Sequence, residues 1–65
     1  MRIPGFIIIT HLAEGNTERM NLDFLASYAE IDGKTIITAA TGNVVSEFNV
    51  RETVEEIDKL INEAR

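Results

Sequence analysis

The chain has no cysteine and no tryptophan, one proline (Pro4), one histidine (His11), and 6 Lys plus Arg against 11 Asp plus Glu. Each scarcity excludes something. Without cysteine there are no disulfides and no thiolate metal centre. A single histidine cannot build a His-rich metal site. The charge balance of −5 leaves no basic footprint for the phosphates of nucleic acid and disfavours an anionic membrane surface. The apolar run Phe6-Ile7-Ile8-Ile9 is shorter than the core of a signal peptide and far shorter than the roughly 20 residues of a membrane span. The expectation is a soluble, cytoplasmic protein with no nucleic-acid partner and no membrane insertion.

What is present is the material of one small globular domain spanning residues 1–65. A chain of this size buries only about 60% of the surface its unfolded form exposes. Small domains usually add a disulfide, a metal or a partner subunit. Cysteine and histidine counts remove the first two, so the expectation is a homo-oligomer. An apolar content of 45% belongs to a folded chain.

The pattern along the chain is that of short strands punctuated by turns, closed by a helix. Phe6 to Leu12 is apolar and β-branched, and reads as a strand buried on both faces. Ala13-Glu14-Gly15-Asn16 is a turn. Thr17 to Leu22 alternates, with Met20 and Leu22 on one side and Arg19 and Asn21 on the other. Asn21-Leu22-Asp23-Phe24-Leu25 is a corner, stabilised by Asn and Asp side chains bonding their own backbone. Phe24 and Leu25 are expected to plug the core. Ala26 to Ile31 is a third strand. Asp32-Gly33 is a two-residue hairpin turn of the type that needs positive φ. Lys34 to Ala40 and Val44 to Val50 are the fourth and fifth strands, joined by Thr41-Gly42-Asn43.

Thr53 with Glu56 forms a capping box, with Asn49 and Glu52 as a weaker alternative start. Val54, Ile57, Leu60, Ile61 and Ala64 share one helical face. The predicted fold is α+β: a five-stranded, mostly antiparallel β-meander with one C-terminal amphipathic helix packed on the sheet.

No arrangement of nucleophile, base and orienting group stands out. His11 ends a strand and reads as a partly exposed strand residue. Gly15, Gly33 and Gly42 sit in separate turns, not in a phosphate-cradling loop. Phe6, Phe24, Tyr28 and Phe48 lack the interleaved cations of a stacking platform and read as core. Glu52, Glu55, Glu56, Asp58 and Glu63 are dense, but acids along one helix project outward instead of converging on a cation. They read as a solvated face and as a possible partner surface. No catalytic, cofactor or metal residue is assigned. The free edges of a five-stranded sheet can also recruit other strands.

Several motifs together resemble the small flagellar and swarming-motility proteins of the FlbD type, or a phage-borne relative. They are Ile9-Thr10-His11-Leu12 before a Gly turn, Asn21-Leu22-Asp23-Phe24-Leu25, Thr35-Ile36-Ile37-Thr38, Gly42, and Val50-Arg51-Glu52-Thr53-Val54-Glu55-Glu56-Ile57. Leu22 and His11 stand where that family has proline and arginine. The resemblance implies a β-plus-helix fold and a small cytoplasmic protein that is not an enzyme. The functional expectation is a non-enzymatic accessory or adaptor protein working through protein contacts, which the resemblance directs towards motility. The alternative is a phage-encoded host-defence antagonist, which blocks a basic groove or sequesters a small signalling molecule as an oligomer.

Overall fold

The computed structural model describes residues 4–65. Five strands and one helix follow in order: β1 (Phe6–Thr10), β2 (Thr17–Asn21), β3 (Leu25–Ile31), β4 (Lys34–Thr41), β5 (Val44–Val50) and α1 (Val54–Ala64). A single 3₁₀ turn, Leu22–Phe24, separates β2 from β3. All strand pairs are antiparallel, in a two-stranded sheet β1-β2 and a three-stranded sheet β3-β4-β5. The α+β architecture is the one the sequence predicts, and the meander breaks at the 3₁₀ turn.

Local chemistry accounts for the breaks. Asn21 is extended and its side-chain oxygen accepts the Asp23 backbone N–H at 2.9 Å, which turns the chain out of β2. At the β3-β4 hairpin Asp32 has φ 53° and Gly33 φ 77°, the left-handed pair that a type I′ turn requires. The helix begins with the capping box read from the sequence. Thr53 Oγ1 accepts the Glu56 N–H at 3.1 Å, and Glu56 Oε1 accepts the Thr53 N–H at 2.8 Å.

The two sheets are joined where the C-terminal end of β1 meets that of β5. His11 bridges Val50, Arg51 N–H donates to the Thr10 carbonyl at 2.9 Å, and Leu12 N–H donates to the Asn49 carbonyl at 3.1 Å. α1 packs chiefly on β1 and also touches β3. The enclosed core is Ile7 and Ile9 from β1, Met20, Ile37, Val50, and Ile57 and Ala64 from the helix. Val54, Leu60 and Ile61 are half-buried on the same stripe.

Two expectations are corrected. β1 is buried on one face only: Ile7 and Ile9 point inward, whereas Phe6 and Ile8 are 37% and 47% exposed. A single helix covers one side of the β1-β2 hairpin, and its other side faces solvent. Phe24 does not plug the core; it is 43% exposed, because Leu22 and Leu25 on either side of it take the core positions of the corner and leave Phe24 on the opposite side. Leu25 is half-buried and does pack against the core.

Candidate functional site

Two regions carry polar or exposed apolar side chains in a way the core does not require. One is the clasp between β1, β5 and α1. The other is an aromatic groove between β2 and the β4-β5 hairpin.

The clasp is built on Glu52, in the link between β5 and α1. Its carboxylate accepts the Thr10 backbone N–H at 2.9 Å and the Thr10 hydroxyl at 2.8 Å. Both oxygens are used, and the end of β1, which β2 does not pair on that side, is tied down. Arg51 reinforces the clasp. Its Nε donates to the Leu12 carbonyl at 3.3 Å, and its guanidinium lies against Gly15. A Cβ at Gly15 would stand 3.1 Å from Arg51 Nη2, and the residue's φ of 77° is left-handed, so glycine suits the position twice over.

The groove is lined by Phe6 from β1, Met20 from β2, Phe24 from the corner, Ala39 and Thr41 from β4 and Phe48 from β5, and encloses about 500 Å³. All three phenylalanines of the chain therefore meet at one opening. Phe6 and Phe24 are exposed and Phe48 is half-buried. Beside Phe48 stands His11, with ring centroids 5.2 Å apart and tilted by 40°. His11 Nε2 lies 2.7 Å from Glu18 Oε1, and Glu18 lies on the groove rim with Arg19. Val44 and Val45, at the tip of the β4-β5 hairpin, are 64% and 67% exposed. The groove is thus an open apolar surface with a polar rim, the form of a contact site more than of a buried core.

The five acids singled out in the sequence do not form one free acidic face. Glu52 is half-buried in the clasp. Glu56 closes the capping box. Asp58 accepts the Tyr28 hydroxyl of β3. This hydrogen bond, with burial and the Asp58 charge behind it, holds the Tyr28 hydroxyl above its ordinary pKa, while Arg65 opposes the shift. Glu55 and Glu63 are exposed, and Lys59 is exposed on the same helix. Among the described residues no three His, Asp or Glu side chains are grouped to hold a metal ion, and no helix is long and apolar enough to cross a membrane.

The sequence missed the groove because its residues come from five elements spread along the chain. The Asn21 corner itself was legible, but it does not say which ring or side chain turns outward: Leu22 and Leu25 pack against the core, whereas Phe24 is exposed. No known family model matches the chain, and neither the curated proteins nor the solved structures give a match.

Proposed function

We propose that this chain is a small, non-enzymatic, cytoplasmic accessory protein that acts through protein contacts and works as a homo-oligomer. The observation that carries the reading is the convergence of Phe6, Phe24 and Phe48 on one open groove. Aromatic side chains held partly exposed on a rigid scaffold supply contact area at little cost in conformational entropy, and such anchors dominate binding energy at interfaces. The partner that fits is a protein segment with a bulky apolar side chain and basic flanks. The apolar group fills the groove, and a chain of net charge −5 attracts the basic flanks. The exposed acids Glu55 and Glu63 extend the same attraction across the helix. The resemblance to FlbD-type proteins directs the search for that segment to the motility apparatus.

The test is affinity capture from the source cell with the wild-type chain, beside Phe6→Ser/Phe24→Ser and Glu55→Lys/Glu63→Lys. A specific partner retained by the wild type is expected to be lost by the phenylalanine variant, and held more weakly and with altered salt dependence by the charge variant. Equal retention by all three folded proteins would overturn the groove as the contact site.

A further inference from the structure

β3 is an open edge. Among the described residues it pairs with β4 and with no other strand. Edge strands in stable monomers carry devices against pairing, such as inward charges, lysine or proline. β3, Leu-Ala-Ser-Tyr-Ala-Glu-Ile, has no lysine and no proline; it carries one charge, Glu30, and one bulge near its start, between Leu25 and Ser27. From Ser27 to Ile31 the edge is regular, and Ser27, Ala29, Glu30 and Ile31 are all exposed.

The register shows which groups the edge offers. Ile31 and Lys34 flank the two-residue turn and pair with each other; Ala29 pairs with Ile36 and Ser27 with Thr38. In a two-residue hairpin the flanking pair exchanges hydrogen bonds, and bonding alternates along the ladder. Ile31, Ala29 and Ser27 therefore turn their backbone groups to β4. Tyr28 and Glu30 turn theirs to the free edge.

We propose that β3 pairs antiparallel with β3 of a second copy of this chain, about a twofold axis at Ala29, to give a continuous six-stranded sheet. This rests on the homo-oligomer reading above and names its interface. The register places Tyr28 opposite Glu30 of the other copy, twice, so all four outward donors and acceptors on each strand are used. At the axis Ala29 meets its own copy in a non-hydrogen-bonded pair, the closest approach in an antiparallel ladder, and alanine leaves room for it.

The charges agree with the same register. Glu30 is the one charged residue of β3. The pairing sets it beside the surface around Tyr28 of the other copy, which is lined by Asp58, Lys59 and Arg65. Asp58 keeps its charge while it accepts the Tyr28 hydroxyl, and the two cations outnumber it beside the incoming Glu30. Any other antiparallel register using these outward groups either puts Glu30 against Glu30 or draws the bulge into the ladder.

Sedimentation equilibrium over a concentration series reads the outcome, with circular dichroism confirming that each variant is folded. The wild type is expected at twice the chain mass of 7.3 kDa. Glu30→Pro removes an outward N–H at a position that makes no ladder bond to β4. It should weaken the dimer at least about tenfold, since two symmetric hydrogen bonds are lost. Glu30→Lys should weaken it through repulsion by Lys59 and Arg65, and Glu30→Lys/Lys59→Glu/Arg65→Glu should restore it. A wild-type oligomer that both Glu30 variants leave unchanged overturns this interface and leaves the homo-oligomer reading standing. A wild type that stays monomeric at about 100 μM, a concentration at which even micromolar dimers are populated, overturns both. A dimer weakened by Glu30→Lys but not restored by the charge swap overturns the assigned register.

Discussion

The clasp and the aromatic groove lie within one small domain and spend their side chains differently. At the clasp each polar group has a partner inside the chain: Glu52 holds Thr10, Thr53 and Glu56 hold each other, and Arg51 lies on Gly15. Beneath it Ile9 and Ile57 are fully buried. At the groove the large side chains are apolar and stay open to solvent, with Phe24 43% exposed. A domain with so small a core cannot leave aromatics outside without cost to its own burial. The contrast teaches that residues of the same hydrophobic class perform separate tasks here: Ile9 and Ile57 are enclosed in the core, Phe48 packs against it from the groove, and Phe6 and Phe24 stay open for contact.

The contrast breaks most visibly in stability. Ile57→Ala empties a fully buried site and should cost about 2–5 kcal/mol. That is a large part of the roughly 3–10 kcal/mol expected for a chain of this length. Urea titration followed by circular dichroism should show the variant largely unfolded or with a much lower midpoint. Glu52→Ala releases two hydrogen bonds to a charged acceptor and leaves the Thr10 N–H without its partner; a loss of about 2–3 kcal/mol is expected, measured in the same way. A loss below about 0.5 kcal/mol, the size of an ordinary surface substitution, would remove the clasp from the account.

A smaller effect is expected where β3 meets the helix. Tyr28→Phe removes the hydrogen bond to Asp58 and should cost about 1 kcal/mol. The sign of its pH dependence follows from the raised pKa of Tyr28. The fold favours the protonated phenol, so this contribution is full below the unfolded pKa of about 10. It is lost as the pH rises through the higher folded value. The stability difference between wild type and Tyr28→Phe should therefore shrink in alkali. A gap that widens there would contradict the assignment.

Much of the fold was legible in the chain because its signals are local. The Asp32-Gly33 turn, the Thr53-Glu56 cap, the Asn21 corner and the helical stripe from Val54 to Ala64 each lie within a few residues, and each has the structure its chemistry dictates. The faces of β1 were not legible. Phe6, Ile7, Ile8 and Ile9 are all apolar, so nothing in the pattern says which pair faces the helix; only the presence of one covering layer decides it. The groove was hidden for a related reason. Phe6, Phe24 and Phe48 are 42 residues apart from first to last in the chain, and their meeting depends on how the two sheets join at His11 and Val50. Glu52 was read as part of an acidic surface, because a clasp to Thr10, 42 residues away, leaves no mark in local spacing.

The measurement that bears most directly on the division between core and contact surface is the urea unfolding free energy of Phe24→Ala. If Phe24 is held for contact, its truncation should change stability by no more than about 0.5–1 kcal/mol, as at a surface position. A loss of about 3–5 kcal/mol, the range for a buried phenylalanine, would show that Phe24 belongs to the core and would contradict the account.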